Sequence, residues 1–586
     1  MGNPRTGHAR WAVATAIASS AISIVALPAP AFGQAASPTA GVPTRDELEN
    51  INRPRVEAPP QLEIQGGIER SPCPLADPQY KDIPVTISNV TFNNLKGASA
   101  GELEAAWKPF AGQPQSIAVL CEIRDAAATI LRNKGYLAAV QVPTQRIENG
   151  VVHMETLFAR VTTVRARGQT DGAEAKLAGY LSKLTEDEIF DRNRAERYLL
   201  LARDLPGYNV QLTLRPAGTA PGDLIGEVSV VRRPYIIDAT VQNLAAKSTG
   251  RWGGQLRAQL FGLTGLGDVT TASLYSTFQT REQQILQLSH SFRPGSEGLV
   301  IDGLFTYAWT TPDLNAPAIV PDLKAKTLFA SLGARYPLVR TQARNVWVGG
   351  GLDYLDQKVN FFGPQSRDRL RVGFLRASWD TVDLKSRRPH YRAGATVELR
   401  HGFAIFNASK RCPNAICPVG GLSPSHSDGD PTATLVRASG DAELAIGRNL
   451  ALVVQPRVQL AFNPLLAFEE YTAGNYTIGR GYDPAIITGD SGAGASVELR
   501  GPRIATGKRS TSFQPYGFGD GAWVWNKGVH GSQHVTSVGA GARIEFAGRF
   551  NVDAALAVPL NRAGPLNRKG GARFLLTLST RILPWR

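Results

Sequence analysis

The segment VVQPRVQLAF, residues 453–462, shows the pattern that decides the fold of the larger part of this chain. Every second side chain is apolar, and three of the side chains between them are long and polar. The apolar set is Val454, Val458, Leu460 and Phe462, and the polar set is Gln455, Arg457 and Gln459. Because successive side chains of a strand point to opposite faces, the segment predicts a strand with one apolar and one polar face.

The same alternation recurs from residue 235 to the end of the chain. It is clear in QLRAQLFGL (255–263), QILQLSHSF (284–292) and ARFLLTLST (572–580). A soluble β-sandwich also has period two, but here short turns and long glycine-rich loops separate the segments, and aromatic residues cluster near strand ends. These features favour a transmembrane antiparallel β-barrel, apolar outside and polar inside, with about sixteen strands at roughly 22 residues per strand and connection.

Upstream of the barrel, the pattern β-α-α-β-β occurs twice, over residues 82–162 and 163–234. The first copy starts at the strand IPVTISNVTF (83–92), and Ser99 with Glu102 forms a capping box at its first helix. Its second helix ends at Gly135, and GVVHMETLFARV (150–161) is read as one strand. The sequence therefore predicts two small α+β modules in tandem.

The N-terminus is typical of an exported protein. Residues 1–33 combine a basic start, an alanine-rich apolar run from Trp11 and small residues before a cleavage point, and they predict a signal peptide. Residues 34–81 are rich in proline and charge and predict a linker. Within it, Thr44 and Glu47 have capping-box spacing, so a short helix is expected that Pro54 would end.

Four cysteines in an exported chain suggest disulfides. Cys412 and Cys417 lie in the loop-like segment RCPNAICP and could close a small ring, which leaves Cys73 and Cys121. Sequence does not determine this connectivity. Metal binding is the competing interpretation, but zinc-ligand spacing is lacking, so no metal site is expected.

The formal net charge is +15. Arginines recur singly along the strand segments, as in the lumen of a barrel, whereas nucleic-acid binding would concentrate them in one patch. We therefore expect no nucleic-acid partner.

The order of these segments resembles the TpsB outer-membrane transporters of two-partner secretion, the relatives of the haemolysin and filamentous haemagglutinin exporters. In that family the two modules are POTRA domains. The segment KGYLAAVQVPTQRIENGVV (134–152) is similar to the first POTRA signature, and LLLARDLPGYNVQ (199–211) is similar to the second. The matching residues are Gly135, Tyr136, Pro143 and Gln145 in the first, and Leu205, Pro206 and Gly207 in the second.

A further resemblance concerns GNYTIGRGYDPAIITGDSGAG (474–494). Residues Gly479, Arg480, Gly481 and Tyr482 are similar to the motif of the family's long sixth loop, expected near 466–495. In the wider superfamily this loop folds into the lumen, where its arginine meets the aspartate of an F-x-D-x-G motif. The matching residues are Phe518 and Asp520, and Ala522 replaces the final glycine. The resemblance therefore implies a contact between Arg480 and Asp520.

The segment GDSGA (489–493) also resembles the nucleophile loop of a serine protease. Such an enzyme needs a histidine base and an orienting acid, and no histidine lies in a recognisable triad context. Residues 490–494 are predicted to form a turn. No catalytic residue and no cofactor are expected.

The resemblance implies a monomeric exporter in the outer membrane, surrounded by lipid, with its POTRA domains in the periplasm. Its partner would be a large secreted TpsA-type β-helical protein of the adhesin or haemolysin class, bound unfolded and passed through the barrel. The short helix at Thr44 would plug the pore. The alternatives are a barrel-assembly insertase, which usually has more POTRA domains, and a surface adhesin barrel.

Overall fold

The computed structural model describes residues 42–51, 72–314, 320–386, 388–412, 417, 422–506, 511–565 and 567–584. The predicted signal peptide, the residues 52–71 of the linker and Pro54 lie outside this part. Among the described residues, no helix is both long and apolar enough to cross a membrane.

The C-terminal part is a closed antiparallel barrel, and its described residues form sixteen wall strands. The last wall strand, β27 (Arg573–Leu583), pairs with the first, β9 (Tyr235–Gln242), and closes the wall. The short strands β22 (Ser491–Arg500) and β23 (Ile504–Thr506) both pair with β24 (Thr511–Trp525), so the two together form one wall strand. The first eight wall strands are β9 (Tyr235–Gln242), β10 (Gly253–Phe261), β11 (Val269–Thr277), β12 (Gln283–Phe292), β13 (Val300–Thr310), β14 (Lys324–Arg340), β15 (Arg344–Asn360) and β16 (Pro364–Val382).

The wall continues through eight further strands. They are β17 (Tyr391–Gly402), β18 (Thr434–Ile446), β19 (Leu450–Ala461), β22 (Ser491–Arg500) with β23 (Ile504–Thr506), β24 (Thr511–Trp525), β25 (Gln533–Phe546), β26 (Phe550–Pro559) and β27 (Arg573–Leu583). A short hairpin, β20 (Tyr471–Ala473) and β21 (Ile487–Gly489), lies in the loop between β19 and β22.

The alternation in residues 453–462 corresponds to the two faces of the wall. Leu460 on the outer face is 49% exposed, whereas its neighbour Gln459 on the inner face is 1% exposed. Other outward leucines, such as Leu332 and Leu375, are also exposed. The barrel thus presents an apolar outside and a polar inside, as the period of two predicts.

Two α+β modules precede the barrel, and both have the predicted element order. The first contains β2 (Asn89–Asn93), α2 (Ala100–Trp107), α3 (Val119–Asn133), β4 (Ala138–Gln141) and β5 (Val151–Phe158), with a small side pair of β1 (Pro84–Thr86) and β3 (Pro114–Ser116). The second contains β6 (Arg160–Gly168), α4 (Glu174–Ser182), α5 (Arg192–Arg203), β7 (Tyr208–Pro216) and β8 (Asp223–Arg232).

Each module has a three-stranded sheet with the last strand in the middle, in the orders β2-β5-β4 and β6-β8-β7. The predicted capping box at α2 is present, since the Ser99 N–H donates to Glu102 Oε2 at 2.7 Å. The Lys134 ammonium lowers the pKa of Glu102 to about 2. Apolar faces of the helices pack on each sheet and form two separate cores.

Two predicted strands are divided in the structure. IPVTISNVTF forms β1 and β2, which belong to different sheets. GVVHMETLFARV forms β5 and β6, separated at Ala159, whose N–H donates to Leu137 O while its carbonyl accepts from Phe190 N–H. Because β6 pairs with β8, the second sheet begins at Arg160, three residues before the boundary predicted after residue 162.

Candidate functional site

A short helix lies inside the barrel. The helix α1 (Arg45–Ile51) begins after Thr44, whose Oγ1 accepts the Glu47 N–H at 3.3 Å. Backbone carbonyls around it accept from wall glutamines: Gln357 Nε2 donates to Pro43 O and Gln287 Nε2 donates to Leu48 O, each at 3.1 Å. The helix therefore occupies the lumen as a plug.

Apolar packing and burial complete this plug contact. Leu48 is 3% exposed and belongs to a cluster with wall residues such as Tyr275 and Phe329. Glu47 Oε1 accepts from Gln283 Nε2 at 3.3 Å, and burial raises the pKa of Glu47 to about 7. A carboxyl buried among neutral groups favours its protonated form, because burial disfavours the charge.

An ion cluster joins the plug, the wall and the long loop. Arg45 on the plug lies 3.2 Å from Asp353 and 3.3 Å from Glu469. The wall residue Arg400, whose side chain is 0% exposed, lies 2.8 Å from both Asp353 and Glu398 and 2.9 Å from Glu469. In such a buried network, removing one partner leaves an uncompensated charge and costs about 3–5 kcal/mol.

A second contact connects the plug with the same loop. Asp46 on the plug forms an ion pair with Arg457 of the wall and accepts from Thr472 Oγ1 at 2.5 Å. Glu469 and Thr472 both belong to the connection between β19 and β22, here called loop 6. The plug therefore bridges the wall and loop 6.

Loop 6, residues 462–490, folds back into the lumen and packs against the wall. It follows the eleventh wall strand and begins four residues before the predicted position, while residues 491–495 belong to β22. The turn predicted for residues 490–494 is therefore wrong. A Cβ on Gly492 would lie 2.4 Å from the Tyr471 ring, so the small residues of GDSGA make room for the returned loop. Ser491 is 2% exposed, and its Oγ accepts from Ala461 N–H.

The structure brings Arg480 and Asp520 together. Arg480 Nη2 lies 3.0 Å from Asp520 Oδ1, and the Arg480 backbone N–H donates to Asp520 Oδ2 at 2.9 Å. The guanidinium also donates to Ser496 Oγ at 2.6 Å and to Glu498 Oε2 at 3.2 Å. Charge-assisted bonds to several acceptors make this contact directional.

Strand register explains why these acceptors converge. Ser496 lies opposite Asp520, and Asp520 lies opposite Ser537, so the three side chains form a row across three adjacent wall strands. The loop crosses this row, and the Gly481 N–H donates to Ser537 Oγ at 3.2 Å. Tyr482 is buried, and its hydroxyl donates to Thr536 O at 2.9 Å.

The two glycines of the loop motif permit this approach. Gly479 has φ +116°, in the region that favours glycine. A Cβ on Gly481 would lie 2.8 Å from the Pro559 nitrogen. The backbone of the loop tip therefore lies directly against the wall.

The wall accommodates Ala522, which stands where the family's F-x-D-x-G motif has its final glycine. Phe518 lies under the Arg480 guanidinium, 3.6 Å from the ring centroid. Ala522 is fully buried opposite Gly494, whose lack of a side chain leaves room for the extra methyl group. The pair Gly494–Ala522 thus keeps the small cross-strand volume beside loop 6.

The first POTRA signature lies at the joint between the modules. Gly135 has φ +103°, and a Cβ there would lie 2.4 Å from Asn193 Nδ2 of the second module. Tyr136 forms a bridge with Asp191. If the register of β4 and β5 continued, Pro143 would lie opposite His153. The Gln145 side chain pairs with the His153 backbone instead: its Nε2 donates to His153 O and its Oε1 accepts the His153 N–H, each at 2.7 Å.

The second signature lies at the joint between the second module and the barrel. A Cβ on Gly207, φ +81°, would lie 2.5 Å from Arg233 O and 2.7 Å from the Phe261 ring. Leu205 is 1% exposed and packs against Gly267 in the turn between β10 and β11. Close by, Asp204 forms an ion pair with Arg340 of β14 at 2.6 Å. Both signatures therefore hold one domain against the next.

The four cysteines form two disulfides. Cys73 bonds Cys121 and attaches the end of the linker to α3, while Cys412 bonds Cys417 in the loop between β17 and β18.

The model of the family described as "Haemolysin secretion/activation protein ShlB/FhaC/HecB" matches residues 228–544. The chain belongs to this family. A second model, "POTRA domain, ShlB-type", matches residues 85–157. The chain is therefore an outer-membrane translocator of the two-partner secretion type, with a secreted partner protein and with POTRA domains in the periplasm.

Individual relatives agree with this family over most of the chain. The heme/hemopexin transporter protein HuxB of Haemophilus influenzae (strain 86-028NP) is 22% identical over 88% of this chain and 90% of its own length. The fold is similar to that of CdiB from Escherichia coli, with TM-score 0.71 and 15% identity over 92% of this chain and 96% of that one. CdiB from Acinetobacter baumannii has TM-score 0.62 and 16% identity over 88% and 94%.

Sequence reasoning missed the ion cluster around the plug. Arg400, Glu398 and Asp353 were visible only as polar positions of alternating strands, and Glu469 only as a loop residue. Charged residues at inward positions are the signal that they share. Glu398 is two residues from Arg400, but Asp353 and Glu469 are 47 and 69 residues from it, so spacing alone does not bring the cluster together.

Proposed function

We propose that this translocator exports one large, β-helical protein of the adhesin or haemolysin class, which it receives unfolded through its two periplasmic modules. The observation that carries the proposal is the lumen that a helix and a returned loop fill together, through contacts to the wall. A lumen occupied by a separate helix suits a channel that opens only when its client displaces that helix.

The open edges of the two module sheets support the receiving step. Among the described residues, β4 and β2 are the edges of the first sheet, and β6 and β7 are the edges of the second. An extended client can add a strand at such an edge, where backbone groups provide the affinity. The second module binds the barrel through Asp204 and Arg340, so a client on its edge is held near the pore.

We further propose that Arg480 and Asp520 anchor loop 6 during this cycle, and that the plug helix leaves the lumen when the partner enters. The translocator acts as a monomer surrounded by outer-membrane lipid. No nucleotide is available in the periplasm, so folding of the partner at the cell surface provides the direction.

The test compares culture supernatants of cells with and without this gene. We expect one large secreted protein to disappear on deletion and to return when the gene is restored on a plasmid. An adjacent reading frame for a large secreted protein would name it. Supernatants that stay the same while many outer-membrane proteins decline would indicate a barrel-assembly insertase instead. Unchanged supernatants and membranes would favour a surface adhesin barrel.

A further inference from the structure

The described residues of the connection between β17 and β18, which lie within 403–433, are here called loop 5. It follows the ninth wall strand, and odd wall strands run outward because the first one leaves the periplasmic modules. Loop 5 therefore lies on the extracellular side. Its described residues are 403–412, 417 and 422–433.

Loop 5 is fastened to the wall strand β16. Phe403 N–H donates to Arg371 O at 2.7 Å, and Arg371, which is 1% exposed, donates to Phe406 O at 3.0 Å. Further along the loop, Ser425 N–H donates to Asp368 Oδ1 at 2.7 Å. The wall thus holds loop 5 in both of its longer described stretches, 403–412 and 422–433.

The same loop grips the base of loop 6. Ala467 N–H donates to Ser425 Oγ at 3.0 Å, and Asp430 N–H donates to Pro464 O at 2.9 Å. His426 Nδ1 lies 3.2 Å from Leu465 O and 3.4 Å from Glu470 Oε1. Loop 5 therefore contacts loop 6 along residues 464–470.

This gripped segment is also the one that contacts the plug. Glu469 faces Arg45 of the plug and Arg400 of the wall, whereas the adjacent Glu470 faces His426 of loop 5. Two neighbouring side chains thus connect the extracellular loop with the helix in the lumen. Loop 6 is unable to shift at this point without breaking one contact or the other.

We propose that loop 5 is an extracellular latch, which holds the base of loop 6 and must release it before the plug helix leaves the lumen. This inference rests on the proposed export function, because only an exporter needs the plug to leave.

The latch contact places several carboxyl groups around one imidazole. The charged groups that face His426 and Glu470 are Asp368 of β16, Asp428 of loop 5 and Asp490 at the end of loop 6. Asp368 is 2% exposed, and its Oδ2 has no hydrogen-bond partner among the described residues. Taking several carboxyl groups and one imidazole out of water has a desolvation cost that offsets much of their mutual attraction, so the net strength of this contact is modest.

Protonation changes the strength of this contact. Burial raises the pKa of Glu470 to about 7. Burial by itself lowers the pKa of His426, but the Glu470 carboxylate and the Leu465 carbonyl outweigh it, so the pKa is raised. With both pKa values raised, the latched state binds more protons than the released state. It is favoured at low pH and loses this advantage as pH rises through about 7.

The first experiment fastens the latch. The variant Ser425→Cys with Ala467→Cys allows a disulfide between the loops, and both single-cysteine variants are the controls. The readout is the open fraction of the purified full-length protein in a planar lipid bilayer. We expect oxidation of the pair to lower the open fraction about tenfold relative to the single variants, and reduction to restore it. Wild-type protein in the same reductant controls for the native disulfides.

The second experiment loosens the latch. His426→Ala should raise the open fraction severalfold, and heat-modifiable mobility on a gel shows that the barrel is folded. The pH arm uses Glu47→Gln as background, since the plug carboxyl titrates in the same range. There the open fraction should rise from about pH 6 to about pH 8, and adding Glu470→Gln should flatten that rise.

Equal open fractions in the oxidised pair and the single variants would overturn the latch, as would a folded His426→Ala variant that opens no more than wild type. Neither result would bear on the proposed export function, because that function is tested separately by the loss of a supernatant protein on gene deletion. If deletion changes no supernatant protein while the latch gates the pore as expected, the proposed function fails and the gating contact stands.

Discussion

At the scale of single residues, Arg480 makes more wall contacts than the motif alone suggests. Besides Asp520, it reaches Ser496 and Glu498 and covers the Phe518 ring. The row formed by Ser496, Asp520 and Ser537 is a consequence of strand register, which the sequence does not display. The loop-to-wall contact is therefore a small network around one guanidinium.

Replacing Arg480 with alanine tests this network. The variant leaves Asp520, whose side chain is 0% exposed, without its cation, a loss of about 3–5 kcal/mol in the contact between loop 6 and the wall. We expect secretion of the partner to fall severalfold while the barrel stays inserted. Supernatant immunoblots and heat-modifiable gel mobility measure the two effects.

The matched control is Arg503→Ala, which removes an ion pair with Glu545 from an arginine that is 58% exposed. An exposed pair contributes about 0–1 kcal/mol, so secretion should be unchanged. Normal secretion by Arg480→Ala would remove this arginine from the mechanism.

Ala522 provides a second test at this scale. It is fully buried opposite Gly494, so Ala522→Leu would overpack the contact with loop 6 at a cost of about 1–3 kcal/mol. We expect loop 6 to become accessible to external protease in this variant, measured on intact cells. Ala522→Gly restores the family residue and should leave the loop protected. Equal protection in the leucine variant would show that the loop does not depend on this packing.

At the scale of elements, the two POTRA signatures serve as joints. Gly135 and Gly207 both have positive φ, and both approach a neighbouring domain too closely for a side chain. The backbone at each joint therefore has little conformational freedom, and each joint holds one domain against the next.

A pair of glycine substitutions separates the joint from ordinary backbone cost. Gly207→Ala would place a methyl group 2.5 Å from Arg233 O, whereas Gly218→Ala has a similar φ, +73°, and nothing within 4 Å. The control should lose about 1 kcal/mol from backbone conformation alone. We expect Gly207→Ala to lose clearly more.

The measurement is limited proteolysis of the full-length protein between the second module and the barrel. Faster cleavage is expected for Gly207→Ala than for Gly218→Ala. If both variants are cut at the same rate, the close approach at Gly207 does not hold the joint.

At the scale of the whole molecule, the plug connects parts of the chain that are distant in sequence. Arg45, near the N-terminus, contacts Asp353 in the wall and Glu469 in loop 6. The seating of the plug therefore depends on residues from the N-terminal part, the barrel wall and loop 6 together.

Arg45→Ala should shift this balance towards the open pore. It removes the plug's ion pairs with the buried carboxylates of Asp353 and Glu469. Arg400 still pairs with both carboxylates and Arg437 with Glu469, so the wall and loop 6 keep their cluster while the plug loses its part in it. We expect a severalfold larger open fraction in planar bilayers. Glu49→Ala is the control, because Glu49 also pairs with Arg45 but is 48% exposed. An Arg45→Ala pore that stays as closed as the control would show that the ion cluster does not hold the plug.

The period of two in segments such as residues 453–462 determined the barrel, because the faces of a strand follow from local alternation. Capping chemistry at Ser99 and Thr44 likewise predicted two helix starts, since a cap is a contact within one turn. These features depend on neighbours in sequence, so the sequence by itself contains them.

Only the tertiary structure decided the rest. It showed that residues 491–494 are wall and not turn, because the Tyr471 ring of the returned loop needs the space above Gly492. It showed which carboxylates surround Arg45 and Arg400, and that loop 5 holds loop 6. Barrel closure and the course of a folded-back loop bring together residues that are distant in sequence, and no local pattern records which of them will meet.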